Sequence, residues 1–127
     1  MIVLAVDPGE ARAGCAISDP SGTIATPIGI VEPPDPQAVA DLAGERGAER
    51  VVVGLPVSLE GQEGEQARAA RAFRDALAER LAIPVETYDE RLTTRLAEAT
   101  ARAGAGAPQD ALAAAHLLES YLAAARR

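Results

Sequence analysis

The first six residues, Met1 to Val6, form a continuous apolar run that includes Ile2, Val3 and Val6 and stops at Asp7-Pro8-Gly9. That length without a polar position predicts a strand buried on both faces. Two further strand-like runs, Gly14 to Ser18 and Thr23 to Val31, are separated by Asp19-Pro20-Ser21-Gly22, whose Asp, Pro and Gly placement is that of a type I turn. Three strands therefore open the fold as a meander.

After the stiff connector Glu32-Pro33-Pro34, Asp35 as N-cap and Pro36 as first helical residue predict a helix that Gly47 ends, with Val39, Leu42 and Ala43 on its apolar face. Val51-Val52-Val53 predicts a short buried strand leading into Gly54-Leu55-Pro56 and a polar loop. Glu65 to Arg80 reads as a helix with Ala69, Phe73, Ala76 and Leu77 on one face. Ile83 to Tyr88 predicts the last strand and Asp89-Glu90-Arg91 follows it. A helix capped by Thr93 or Thr94 then runs to the Gly104-Ala105-Gly106 linker, and a final helix spans about Pro108 to Ala125.

The later strands need helical crossovers and so lie parallel to the first. The expected architecture is α/β, a five-stranded mixed sheet made of a three-stranded antiparallel meander plus two parallel strands, with helices on both faces. At 127 residues the chain fits a single domain, 1–127, and buries roughly two-thirds of the surface its unfolded form exposes, enough for a core without disulfides.

Composition narrows the function. No apolar run approaches the ~20 residues of a membrane span, and Asp7 interrupts the N-terminal run before a signal-peptide core forms, so a cytoplasmic protein without membrane contact is expected. The single Cys15 excludes an internal disulfide and a Cys-rich zinc site, and reads as a small core residue. Twelve basic against 19 acidic residues give a net charge of -7, which argues against gripping nucleic acid by overall charge and leaves room for a local basic groove.

In open α/β sheets ligands collect beyond the carboxyl ends of the parallel strands, and here those positions are acidic. Asp7 ends the first strand, Asp89 and Glu90 follow the last, and Asp110 opens the final helix in register with Ala113, Ala114, Leu117 and Tyr121, on the stripe expected to face the core. Taken one at a time these acids also fit a turn residue, a solvated loop charge and a first-turn helix acid. Taken together, three clustered carboxylates repel one another without a cation. Mg²⁺ or Mn²⁺ suits their oxygen donors, and two such ions about 3.5–4 Å apart can activate a water and stabilise the leaving oxygen of a phosphodiester. Asp7, Glu90 and Asp110 are thus the candidate catalytic and metal-binding residues.

Four ordered motifs carry a resemblance along nearly the whole chain: Asp7-Pro8-Gly9 with Arg12, Gly14, Ala16 and Ser18-Asp19; Val53-Gly54-Leu55-Pro56 with Gly61; Asp89-Glu90-Arg91-Leu92-Thr93-Thr94; and Asp110-Ala111-Leu112-Ala113-Ala114 with Leu118-Glu119-Ser120-Tyr121-Leu122. The sequence resembles the YqgF/RuvX family, described as pre-16S rRNA nucleases or Holliday-junction-resolvase-like enzymes of RNase H-like fold. The resemblance implies metal-dependent cleavage of structured nucleic acid and carries over the same three acids, Asp7, Glu90 and Asp110. Two segments depart from the family. Glu10-Ala11 stands where a small polar residue and a Lys are common, and the linker Ala103 to Gln109 lacks a Lys/Arg cluster.

Arg12, Arg91, Arg95 and Arg102 lie in segments adjacent to the acids and can bind phosphate bidentately, or serve as solvated charges and salt bridges; Arg91 can instead orient Asp89 or Glu90. His116, one residue off the final helix's expected core stripe, reads as a packed or surface histidine, since two-metal hydrolysis does not require it. Asp7-x-Gly9 is also similar to the phosphate loops of sugar kinases and actin-like ATPases. Those proteins clasp ATP between two such domains, and this chain has length for one. The expected function is therefore a Mg²⁺- or Mn²⁺-dependent endonuclease, with two ions, processing the 5′ end of precursor 16S rRNA or resolving branched DNA. The rival is a non-catalytic RNA-binding ribosome-assembly factor. Oligomeric state stays open, a symmetric branched substrate favouring a two-fold homodimer.

Overall fold

The computed structural model describes residues 1–56, 63–92 and 109–125. Its sheet has five strands in the order β3-β2-β1-β4-β5: β1 (Val3–Pro8), β2 (Ala13–Ser18), β3 (Ala25–Val31), β4 (Arg50–Leu55) and β5 (Val85–Asp89). β1, β2 and β3 pair antiparallel, and β4 and β5 join parallel beside β1. The described helices are α1 (Pro36–Glu45), α2 (Glu65–Ala78) and α3 (Gln109–Ala125), with a 3₁₀ turn at Glu90–Leu92. The helix expected from Thr93 or Thr94, and the linker after it, lie outside the described residues. Among those described, no helix is long and apolar enough to cross a membrane.

β1 is central because both of its faces are apolar. Leu4 and Val6 join Val51, Val53, Phe73, Leu77 and Val39 in the layer under α1 and α2. Val3 and Ala5 join Val52, Leu117, Leu118 and Leu122 under α3. The Asp19–Gly22 turn closes as expected, the Gly22 amide donating to the Asp19 carbonyl at 2.9 Å while Asp19 Oδ1 accepts from the Thr23 and Ile24 amides at 2.8 Å each. α1 begins with Asp35 accepting from the Gln37 amide and Pro36 in the first turn, and Gly47 beyond its end adopts φ +68°. Cys15 is buried in the core, and burial pushes its thiol up to about 12, leaving it unreactive.

Three expectations need correction. β1 runs one residue past Asp7, the residue expected to end it, since Pro8 still pairs with Ala13. On α2 the inward residues are Ala67, Ala70, Phe73 and Leu77. Ala69 is exposed and Ala76 only partly buried, because in an alanine-rich helix Phe73 and Leu77 set the direction of the packed face. On α3 the buried set includes Ala111, Ala114, Leu117, Leu118 and Leu122, which places Asp110, Ala113 and Tyr121 on the margin of the stripe.

Candidate active site

Asp7 stands near the carboxyl end of β1, directly opposite Gly14 of β2, and Glu90 opens the 3₁₀ turn just past the end of β5. The two meet over Gly54 of β4. A Cβ on Gly54 would stand 2.8 Å from Glu90 Oε1 and 3.5 Å from Asp7 Oδ1, so the missing side chain is the space the carboxylates occupy. Gly14 plays the matching part for the third acid. A Cβ there would lie 1.9 Å from the Asp110 carbonyl oxygen, which means the first turn of α3 rests directly on the β2 backbone. Glycine inside a strand weakens it and often marks a place where another group approaches closely; here a helix end and a carboxylate pair do.

The electrostatics follow from this packing. The Asp7 carboxyl is pushed up to about 8, first by burial, then by its hydrogen bond with Glu90, then by the charges of Glu90 and Asp110. A hydrogen bond between two carboxyls needs a shared proton, and a cation can take that proton's place. The Asp110 carboxylate is half-exposed and paired, Arg12 Nε standing 2.7 Å from its Oδ2. Arg12 Nη1 also lies 3.5 Å from Glu32 Oε2.

Arg91 turns to Asp89 rather than Glu90, its Nε and Nη2 donating to Oδ2 at 3.0 and 2.6 Å while its amide donates to Oδ1 at 2.9 Å. That fork holds the Asp89 carboxyl below the usual carboxylate range and fixes the turn that presents Glu90. Arg95, Arg102, Gly61, Thr93 and Thr94 lie outside the described residues.

Two openings flank the Asp7–Glu90 pair. On the α2 side is a cleft of about 410 Å³ lined by Pro34, Pro56, Ala69 and Phe73 together with Glu10 and Gln66. On the α3 side Asp7 and Glu90 share a smaller recess with Ala113, His116 and Leu117. His116 is partly buried, which lowers its pKa. It is thus a neighbour of the acids, a placement its sequence position did not suggest. Gly14 and Gly54 were legible only as parts of motifs; their signal was a glycine within an apolar strand, which marks a close approach.

Hard divalent cations prefer oxygen donors, and Asp7 with Glu90 supplies a half-buried, mutually repelling oxygen pair that fits one. Among the described residues no group of three His, Cys, Asp or Glu is close enough to hold an ion together. Asp110 is near enough to raise the Asp7 pKa, yet its carboxylate is engaged by Arg12.

Sheet order, flanking helices and acid placement together define an RNase H-like fold. RuvC of T. thermophilus, solved in complex with a Holliday junction substrate, shares it with a TM-score of 0.71 over 99% of this chain and 95% of that one, at 16% identity. Residues 1–124 match the family described as RuvX, Holliday junction resolvase, and the chain belongs to that family. A Chloroflexus aurantiacus relative is 43% identical over 98% of this chain and 88% of its own length. A Thermobifida fusca relative is 54% identical over 80% of this chain and 66% of its own length. Both carry the name "Putative pre-16S rRNA nuclease".

Proposed function

We propose that this chain is a divalent-metal-dependent endonuclease that hydrolyses phosphodiester bonds of structured nucleic acid, with the 5′ end of precursor 16S rRNA as its substrate. The observation that carries the reading is the Asp7–Glu90 pair over Gly54, two half-buried carboxyls meeting in the space a side chain there would fill, where burial and Glu90 push the Asp7 carboxyl up to about 8. The names of the relatives favour pre-16S rRNA. The family's description and the RuvC fold favour a four-way DNA junction as the second substrate to test.

Asp7 and Glu90 would hold Mg²⁺ or Mn²⁺, with Asp110 as the third ligand. When bound, such ions supply the Lewis acidity and charge neutralisation that phosphodiester hydrolysis demands. The chain's own part is positional. Gly54 leaves room for two carboxylates, Arg91 pins the turn under Glu90 through Asp89, and Gly14, opposite Asp7, lets the Asp110 turn rest on the β2 backbone. Arg12, paired with Asp110, has the planar fork that matches a phosphate as well as a carboxylate.

The test is side-by-side cleavage of a labelled precursor 16S rRNA fragment and a labelled four-way DNA junction, with Mg²⁺, Mn²⁺ or chelator, by wild type and Asp7→Asn. Metal-dependent cutting that disappears in the variant supports the reading and selects the substrate. Binding of either nucleic acid without cutting overturns it in favour of a non-catalytic assembly factor.

A further inference from the structure

The Asp110 carboxylate has two claimants. On one side the Arg12 guanidinium holds it at 2.7 Å; on the other lies the Asp7–Glu90 pair, close enough for the Asp110 charge to act on Asp7. The Asp110 backbone is not free to choose, because the first turn of α3 rests on Gly14 with no space for even a Cβ. The choice falls to the side chain. In the structure it favours Arg12, and among the described residues no three donors are grouped to hold an ion. Arg12 also pairs with Glu32, its Nη1 lying 3.5 Å from Oε2.

We propose that Arg12 is a latch, a positioning residue that holds Asp110 away from the Asp7–Glu90 pair until a nucleic-acid phosphodiester draws the guanidinium off and releases Asp110 to complete the carboxylate set. This rests on the reading of the acids as cation ligands. The exchange is chemically matched, because the fork of an arginine binds carboxylate and phosphate through the same pair of N–H donors. It is also cheap. The side chains of Arg12 and Asp110 are 50% and 47% exposed, and an ion pair so open to water is weak enough for a substrate to displace. Linkage then requires that nucleic acid tighten ion binding, and that ion binding tighten nucleic acid, through this one residue.

The experiment measures Mn²⁺ binding to the full chain by calorimetry for wild type, Arg12→Gln, Asp110→Asn and the double variant. It is repeated with a short single-stranded oligonucleotide whose own Mn²⁺ uptake is subtracted using Asp7→Asn protein. Without oligonucleotide, Arg12→Gln should bind Mn²⁺ about two- to five-fold more tightly than wild type, the range open to an exposed ion pair. That gain should vanish in the Asp110→Asn background. With oligonucleotide, wild type should tighten while Arg12→Gln does not. Equal or weaker Mn²⁺ binding by Arg12→Gln, or a gain that persists without Asp110, overturns the latch. Mn²⁺ binding that Asp7→Asn leaves unchanged overturns the metal-site reading itself, and the latch with it.

Discussion

The two ends of β1 are built to opposite rules. From Val3 to Val6 every side chain is buried, alternating between the layer under α1 and α2 and the layer under α3, and the N-terminal edge is tied down by Ser18, whose Oγ accepts from the Val3 amide at 2.7 Å and donates to the Met1 carbonyl at 3.1 Å. One residue further on, at Asp7, the neighbours become glycines and acids, and close packing gives way to space reserved for charge. The stable half of the strand holds the costly half in place. Functional sites commonly retain such local repulsion at the expense of stability.

The largest expected effect is on the charged end. Asp7→Asn should reduce cleavage by about 10²–10³-fold or more, the scale of losing a charge-stabilising group in an active site. The same change should raise the stability of the metal-free protein by about 1–3 kcal/mol, because the amide occupies the site without a carboxyl that must hold a proton or sit charged beside Glu90. Chemical denaturation and cleavage assays on one preparation check both signs. Next is the packed end, where Leu4→Ala should cost about 2–5 kcal/mol of stability by opening a cavity beneath α1 and α2. The folded fraction should keep its metal response, so melting with and without Mg²⁺ separates the two halves.

Glycine substitutions sharpen the contrast. At Gly54 a new Cβ meets chiefly the flexible end of Glu90, with Leu117 Cδ2 at 3.1 Å. Gly54→Ala should therefore fold, with activity down by about 10–100-fold, the size seen when groups that orient metal ligands are disturbed. At Gly14 the obstruction is the α3 backbone itself. Gly14→Ala should cost about 1–3 kcal/mol as the helix end is forced outward, and circular dichroism melts of the two variants rank them. The Asp7–Glu90 pair also sets a pH dependence. The native Asp7 carboxyl keeps its proton up to about 8, while the unfolded chain releases it near 3.8. The native state thus binds more protons across that window, and the stability of the metal-free protein falls as pH rises through it. Melting temperatures from pH 5 to 8 should decline in wild type more steeply than in Asp7→Asn.

The sheet was legible because apolar runs such as Val3–Val6 and Val51–Val53 are short, rich in β-branched residues and closed by Asp7-Pro8-Gly9 and Gly54-Leu55-Pro56. α1 was legible because Asp35, Pro36 and Gly47 each perform a local task that needs no tertiary partner. α2 was legible as a helix but not in its facing, since its many small alanines give little direction and only Phe73 and Leu77 show which side is covered. Asp7, Glu90 and Asp110 stood out as acids at one end of the sheet. Their partners were legible only in part, Arg91 as a residue able to orient Asp89 or Glu90 and Arg12 as one of several arginines able to form a salt bridge. The Arg12–Asp110 and Arg91–Asp89 pairs depend on which way long side chains turn after folding, and the closeness of Asp7 to Glu90 depends on a glycine between them.

The central claim, that Asp7 and Glu90 form a repelling pair a divalent ion relieves, is tested most directly by thermal unfolding at pH 8 with and without Mg²⁺ in wild type and Asp7→Asn. An ion that binds the native state alone raises the melting temperature by mass action. The account predicts a Mg²⁺-dependent rise in wild type and little or none in the variant. Equal shifts in both proteins, or none in either, would contradict it.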